Sequence, residues 1–187
     1  KAQNINDFYV CSLSTQTIVY KGMFLAEQLS EFYPDLLDNE FTSKFAIYHQ
    51  RYSTNTFPTW SLAQPFRVLA HNGEINTLKG NINWMSAHEP RITHPFFNER
   101  INDLKPILDS DASDSASLDA AFELFVQTDR DMPMAKSMII PESWSNRSDL
   151  SDQLKAMYAY CNAVIEPWDG PAAVSYTHLR AHETIVH

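Results

Sequence analysis

Cysteine and glycine are both scarce in this chain of 187 residues. The two cysteines, Cys11 and Cys161, are too few for a disulfide framework, and neither lies in the Cys-x-x-Cys pair of a zinc or redox site. We therefore expect no bound metal and a reducing compartment, either a bacterial cytoplasm or a plastid stroma. Two of the four glycines, Gly73 and Gly80, lie close together, which indicates that an unusual backbone conformation is needed there.

Positive charge and long apolar runs are also missing. The formal net charge of -9 argues against binding to nucleic acid or to an anionic membrane, since both need a positive field. No apolar run reaches about eighteen residues, and residues 1–4 lack the pattern of a signal peptide, so we expect neither a membrane span nor export. Because 44% of the residues are hydrophobic, the chain should form one domain with its own core. Lys1 stands where an initiator Met would, and we expect the chain to begin inside a longer protein.

Hydrophobic periodicity predicts strands and helices in a mixed order. Aromatic and β-branched runs predict a hairpin over residues 8–20 and further strands at 45–49, 67–71 and from 172 onward. Apolar residues at helical spacing predict helices over residues 23–32, 75–87, 113–126 and 149–161. Because strands and helices do not alternate regularly, this order favours an α+β fold or a layered αββα arrangement over a doubly wound parallel sheet.

The sharpest local feature is Asn72-Gly73, which follows the predicted strand 67–71. A side-chain amide beside a glycine N–H could form an oxyanion hole for acyl transfer, since both groups donate hydrogen bonds and glycine has no Cβ to block the approach. The alternative is structural, because Asn-Gly is the commonest tight hairpin turn. Taken alone, these two residues favour the turn.

Arg51 and Asp114 are two further candidates, of opposite charge. Arg51 follows the predicted strand 45–49 and could clamp a substrate carboxylate in a bidentate pair, although an isolated Arg is more often part of a surface ion pair. Asp114 lies at the start of the predicted helix 113–126 and could hold a substrate ammonium group. Asp111, Ser113 and Asp114 could each cap this helix, and a cap role does not exclude a ligand role.

These features fit together in one known arrangement. Residues 49–56, His-Gln-Arg-Tyr-Ser-Thr-Asn-Thr, are followed by residues 71–81, His-Asn-Gly-Glu-Ile-Asn-Thr-Leu-Lys-Gly-Asn. This pattern resembles the class II, or N-terminal-nucleophile, glutamine amidotransferases. Its extended form, together with residues 166–172, Glu-Pro-Trp-Asp-Gly-Pro-Ala, resembles the glutamate synthase branch of that family. The resemblance covers about residues 5–174.

The resemblance implies roles for four residues. Arg51 would bind the α-carboxylate of L-glutamine and Asp114 its α-ammonium group. The Asn72 side chain and the Gly73 N–H would stabilise the oxyanion that forms at the δ-carbonyl. The nucleophile of the family is an N-terminal Cys, which we expect in a stretch ahead of Lys1, so this region alone should not turn glutamine over. A papain-like role for Cys11 is the weaker alternative, because Cys11 lies inside a predicted strand.

The resemblance also implies a fold and a parent enzyme. The fold would be the four-layer αββα sandwich of the N-terminal-nucleophile hydrolases, incomplete here, with residues 1–174 as a partial amidotransferase domain. The parent would transfer ammonia from glutamine to 2-oxoglutarate and form L-glutamate, using FMN and an iron–sulfur cluster held outside these residues. Its partners would be the synthase domain of the same chain and a small NADPH-oxidising subunit or ferredoxin. Residues 175–187 have no apolar period, and we expect them to be a non-native tail.

Two other functions remain open from the sequence. A sister amidotransferase of the aminosugar or purine pathway would share the roles of the four site residues and differ in its ammonia acceptor. A non-catalytic module would keep the fold and bind glutamine without a nucleophile.

Overall fold

The computed structural model describes residues 8–15, 17–49, 59–73, 75–170, 172–176 and 179–183; for residues 72–73 and the last two ranges it describes the backbone alone. The α-helices are α1 (Leu29–Phe32), α2 (Lys79–His88), α3 (Asp114–Gln127), α4 (Met132–Ile139) and α5 (Asp152–Val164). The strands are β1 (Leu69–Gly73), β2 (Ala172–Tyr176) and β3 (Leu179–Glu183). Short 3-10 helices cover Ala26–Gln28, Pro34–Leu37, Glu89–Arg91 and Asn98–Leu104.

The three strands form an antiparallel sheet in the order β1-β2-β3. In the pairing of β1 with β2, Asn72 lies opposite Ala173 and Gly73 lies opposite Ala172. The pairing of β2 with β3 contains a register shift between Val174 and Tyr176. Strand β2 lies about a hundred residues after β1 in the sequence. Their pairing therefore closes a long loop, which costs conformational entropy.

Helix α3 lies in the middle of the core. Ser113 caps its N-terminus, because the Ser113 Oγ accepts a hydrogen bond from the Ala116 N–H at 3.1 Å. The residues that follow alternate at helical spacing between a buried and a more exposed face. The buried residues are Ser115, Ser117, Leu118, Asp119, Ala121 and Phe122.

The hydrophobic core is built from β1, the helices that follow it and the loop after α5. Helices α4 and α5 begin at side-chain caps as α3 does, at Asp131 and Ser151. Their apolar faces meet α3 in one buried cluster. Its members are Leu69, Met85, Leu108, Leu118, Ala121, Phe122, Ala135, Met138, Ile139, Cys161, Ile165 and Trp168.

The loop after α5 is held against the start of α2. The buried Asn81 donates from Nδ2 to the Glu166 carbonyl oxygen at 2.8 Å, and the Asn76 N–H donates to the Asp169 carbonyl oxygen at 2.7 Å. A Cβ at position 80 would overlap the Glu166 carboxylate, so Gly80 permits this close approach. The unusual backbone expected at Gly73 and Gly80 is not found, because Gly73 lies in β1 and Gly80 lies in α2. Gly80 is needed for the close contact with Glu166.

Residues 8–49 pack differently from this helical body. Their described part contains short helical turns, and side chains such as Leu13 and Phe32 are largely exposed. The segment is anchored by Lys21, which is buried and donates from Nζ to the Ala63 carbonyl oxygen at 2.6 Å. Burial lowers the pKa of Lys21.

Two sequence predictions are wrong in that segment. The described residues of the predicted hairpin 8–20 form no strand, and neither do residues 45–49. A strand needs a neighbour to satisfy its backbone groups, and among the described residues these stretches have none. The Ser12 Oγ donates instead to the Thr17 carbonyl oxygen at 3.2 Å. The predicted helix 23–32 is reduced to the turn Ala26–Gln28 and α1.

The remaining predicted elements are present with shifted bounds. The predicted strands 67–71 and 172 onward correspond to β1 and β2, and the predicted helices 75–87, 113–126 and 149–161 correspond to α2, α3 and α5. Helix α4 and strand β3 were not predicted. The mixture of helices with an antiparallel sheet agrees with an α+β class, while the second sheet of a four-layer sandwich is not among the described residues. Within the same ranges, no helix has the length and apolarity needed to cross a bilayer.

Candidate active site

Asn72 and Gly73 are the last two residues of strand β1. Their backbones pair with Ala173 and Ala172 of β2. The tight Asn-Gly turn that this dipeptide favours on its own is therefore not formed, and the structural alternative for the pair is wrong. The role of the two residues as oxyanion donors stays a prediction, since only their backbone is described.

Asp114 is the first residue of α3, and the cap of that helix is Ser113. The Asp114 Oδ1 accepts hydrogen bonds from the Ser115 N–H at 2.6 Å and from the Ser115 Oγ at 3.2 Å. The side chain is half-buried and lies in the first helical turn, where the helix dipole favours a negative charge. Among the described residues, its hydrogen bonds all involve Oδ1. Asp114 thus uses one carboxylate oxygen, Oδ1, for hydrogen bonds to Ser115, and it does not cap the helix.

His71 connects β1 to this end of α3. It is 3% exposed, and its Nδ1 lies 3.1 Å from the Ser115 Oγ. Its backbone N–H donates to the Gln64 Oε1 at 2.7 Å. Burial lowers the pKa of His71, and the nearby charge of Asp114 opposes that shift. Because His71 precedes Asn72, the contact joins Asp114 to the strand that carries Asn72 and Gly73.

Asp119 fixes the start of β1 to the same helix. Its Oδ1 accepts from the Val68 N–H at 2.9 Å and from the Leu69 N–H at 2.8 Å, and its Oδ2 accepts from the Arg67 N–H at 3.4 Å. Burial raises the pKa of Asp119, and the hydrogen bonds from these backbone donors oppose that shift. Strand β1 is therefore held to α3 at two points, at its start through Asp119 and at its middle through His71.

A cleft of about 550 Å³ lies beside the start of β1. Arg67 and Glu123 line it, with the Arg67 Nε 3.1 Å from the Glu123 Oε2. Burial raises the pKa of Glu123, and the Arg67 charge opposes that shift. Asp114 is not part of the lining, so this cleft is not the site that the sequence predicts.

The cysteines and the metal-ligating residues are not arranged for catalysis in the described ranges. Cys161 is buried in α5, and burial raises the pKa of its thiol. Cys11 is partly exposed and lies outside any helix or strand, so its predicted strand placement is wrong. No group of three His, Cys, Asp or Glu side chains in these ranges is close enough to hold a metal ion.

The structure thus connects some of the predicted site residues to one another. Asp114 is linked to the strand of Asn72 and Gly73, whereas Arg51 lies outside the described residues and its role stays a prediction. Sequence reasoning missed His71, Ser115 and Asp119. A signal for Asp119 was available, because this acid falls on the apolar face of α3 next to Leu118. His71 and Ser115 carry no comparable signal.

Comparison of the sequence with known proteins identifies its family. The sequence profile of the class-II glutamine amidotransferases matches residues 1–184. The chain belongs to the class-II glutamine amidotransferases, and membership implies the fold of the N-terminal-nucleophile hydrolases.

Several similar proteins are glutamate synthases. The chain is 62% identical over 180 residues to the glutamate synthase (NADPH) large chain of Azospirillum brasilense, covering 96% of this chain and 12% of that protein. It is 53% identical to the corresponding Bacillus subtilis (strain 168) protein, covering 91% of this chain and 11% of that protein. It is 50% identical to the ferredoxin-dependent glutamate synthase of Pyropia yezoensis, covering 92% and 11%. The chain spans about an eighth or less of the length of these relatives.

Proposed function

We propose that this region carries the glutaminase half-reaction of a glutamate synthase, in which L-glutamine is hydrolysed to L-glutamate and ammonia. The observation that supports it most directly is the contact chain from Asp114 through Ser115 to His71, which brings a carboxylate to the strand of Asn72 and Gly73. Identity of 62% to a glutamate synthase large chain favours this branch over the aminosugar and purine branches.

Each site residue has a role in the proposed reaction. Arg51 binds the α-carboxylate of glutamine and Asp114 its α-ammonium group. A cysteine thiolate, supplied by the parent protein ahead of this region, attacks the δ-carbon and forms a C–S bond. Asn72 and Gly73 donate hydrogen bonds to the oxyanion, the proton removed from the cysteine thiol passes to the amide nitrogen, the C–N bond breaks and ammonia leaves. Water then hydrolyses the thioester and releases L-glutamate.

The rest of the parent completes the reaction sequence in this proposal. Ammonia would pass to a synthase domain of the same chain, where FMN and an iron–sulfur cluster would supply the electrons for the reductive amination of 2-oxoglutarate. Those electrons would come from a small NADPH-oxidising subunit or from ferredoxin. The residues of this chain do not fit an iron–sulfur cluster, because such clusters need several cysteine ligands and only Cys11 and Cys161 occur.

Three finer expectations belong to the same proposal. The helices and the pairing of β1 with residues 172–174 of β2 form part of a four-layer αββα sandwich, and residues 1–174 are the native amidotransferase portion. Residues 175–187, which include β3, are a non-native tail. The protein resides in a bacterial cytoplasm or a plastid. A relative from Spinacia oleracea, 47% identical, is described as chloroplastic, which supports the second possibility.

The test measures glutaminase kinetics in the full-length protein that carries this region. Asn72→Ala should lower kcat by about a hundred-fold or more, the usual effect of removing one oxyanion donor. Arg51→Lys should raise the glutamine KM sharply, because a planar bidentate clamp is lost. The matched controls are Asn102→Ala and Arg91→Lys, both at exposed positions, which should leave kcat and KM near wild type.

Three results would contradict the proposal. If Asn72→Ala kept a kcat near wild type, the oxyanion assignment would be wrong. If the wild-type protein bound L-glutamine without releasing ammonia, the region would be a binding module. Release of ammonia to an acceptor other than 2-oxoglutarate would assign it to a sister amidotransferase.

A further inference from the structure

Three polar side chains, the half-buried Asp114 and the buried Ser115 and His71, form a continuous hydrogen-bonded chain between α3 and β1. Ser115 is 7% exposed and His71 is 3% exposed. The Ser115 Oγ lies 3.2 Å from the Asp114 Oδ1 and 3.1 Å from the His71 Nδ1. Ser115 is the only one of the three that contacts both of the others among the described hydrogen bonds.

The direction of these hydrogen bonds follows from what each group can donate. A carboxylate only accepts, so the Ser115 hydroxyl donates its one proton to Asp114. The Ser115 oxygen then has lone pairs left for an incoming donor, and the His71 Nδ1–H supplies it. His71 therefore carries a proton on Nδ1, and because burial lowers the pKa of His71, the neutral form of the ring is favoured. Its Nε2 is buried without a partner in the described part of the chain.

The arrangement leaves the second carboxylate oxygen of Asp114, Oδ2, available to bind a ligand. Both donors of Ser115, the backbone N–H and the hydroxyl, bind the same oxygen, Oδ1. The carboxylate is thereby held in one rotamer, and Oδ2 has no hydrogen bond among the described residues. A carboxylate held in this way can meet a cationic group without first losing side-chain freedom, which improves affinity for that group.

We propose that Ser115 is a positioning residue that orients Asp114 toward the α-ammonium group of glutamine and couples it, through His71, to the strand of the oxyanion residues. This inference rests on the proposed function of the region. Ser115 does not touch the substrate in this arrangement. Its contribution lies in the recognition of the ammonium group, so it should act on discrimination between ligands with and without that group.

The experiment compares two inhibitors in the full-length protein. L-glutamate carries the α-ammonium group and glutarate lacks it, while both keep the two carboxylates. In Ser115→Ala, the Ki of L-glutamate should rise and that of glutarate should not, so the ratio of the glutarate Ki to the L-glutamate Ki should fall about ten-fold. This is roughly the smallest effect expected when a hydrogen bond to a charged group, here from Ser115 to Asp114, is lost. The KM for glutamine should rise by a similar factor, and kcat should change less.

A matched control lies on the same helix. Ser117 is 1% exposed, and its Oγ has no hydrogen-bond partner among the described residues. Ser117→Ala removes the same atom at another buried position of α3 and should leave the Ki ratio at its wild-type value. Ser115→Thr keeps the hydroxyl and should restore most of the ratio. If Ser115→Ala does not fold, Ser115→Cys takes its place, because a thiol is close in size and only a weak donor.

The outcomes separate this inference from the proposed function. If the wild-type protein releases no ammonia from glutamine, the proposed function fails. If the wild type is active and Ser115→Ala, or Ser115→Cys in its place, keeps the wild-type Ki ratio, the positioning role is wrong. An equal fall of the ratio in Ser115→Ala and Ser117→Ala would also overturn it, since that would show a general effect of loosening α3.

Discussion

Residues 8–49 have a higher proportion of hydrophobic residues than the helical body from β1 to the loop after α5, yet they bury fewer of them. Every member of the buried core cluster lies between Leu69 and Trp168. In the described part of residues 8–49, large apolar side chains remain exposed, including Leu13 at 90% and Phe32 at 61%. The same residue types therefore stabilise one region and contribute little to the other.

The difference shows which secondary-structure elements can form without pairing to a distant segment. Helices α3, α4 and α5 satisfy their backbone groups within themselves and begin at local caps, so each needs only an apolar partner. An extended segment has no such internal solution and must find a second strand. The region 8–49 is rich in extended, apolar sequence and has no paired strand among its described residues.

The largest expected effect contrasts one phenylalanine from each region. Phe122→Ala should lower the free energy of unfolding by about 3–5 kcal/mol, since this side chain is 0% exposed and its loss leaves a cavity. Phe32→Ala should cost under about 1 kcal/mol, because most of that ring is already in water. Urea denaturation followed by circular dichroism measures both. Equal costs for the two variants would remove the distinction between the regions.

The next effect contrasts two aspartates. Asp119→Ala should lower the free energy of unfolding by about 3 kcal/mol, because the N–H groups of Val68 and Leu69 would be buried without an acceptor. Asp35→Ala removes an exposed acid that accepts from the Tyr20 hydroxyl, and it should cost about 0.5 kcal/mol or less. Amide exchange of Leu69 gives a second readout, which should accelerate in Asp119→Ala and not in Asp35→Ala. Unchanged exchange at Leu69 in Asp119→Ala would contradict the attachment of β1 to α3.

The smallest effect is a pH dependence that originates in the helical body. Burial lowers the pKa of His71 in the folded protein. In the unfolded chain this residue binds a proton at about pH 6.5, where folded His71 is still neutral. Stability should therefore be full above that pH and fall as the pH drops toward the lowered folded pKa. His71→Asn should show a shallower fall between about pH 7.5 and pH 5.5 in urea denaturation. Identical slopes for wild type and variant would mean that His71 is not buried as a neutral side chain.

The predictability of the fold follows the same division. Helix α3 could be predicted because its apolar residues repeat at helical spacing and a capping serine precedes it. The predicted strands at 8–20 and 45–49 failed because β-branched and aromatic composition describes a surface suited to pairing and does not supply the partner. Strand β3 was missed because residues 179–183 contain no Val, Ile, Thr, Phe, Tyr or Trp, and it is recognised only by its pairing with β2.

The candidate site divides in a similar way. Asp114 and Asn72-Gly73 could be named because their residue types and spacing resemble a family pattern. The contact between them could not, since it runs through His71 and Ser115, two residues that are separated by 44 positions in the chain. Such a link depends on how β1 packs on α3, which is a tertiary property. Likewise, Asn-Gly on its own favours a turn, and the pairing of β1 with β2 overrides that local preference.

Lys21 offers a way to observe the two regions separating. Its amine is enclosed by the Ala63 carbonyl oxygen and by the rings of Tyr9 and Phe66, whereas Lys44 and Lys79 are exposed. An amine-acylating reagent can reach the exposed lysines in the folded protein, but it can reach Lys21 only when residues 8–49 lift away from the rest. Mass spectrometry of the label on this one lysine would therefore time the detachment of the segment while the helical body stays folded.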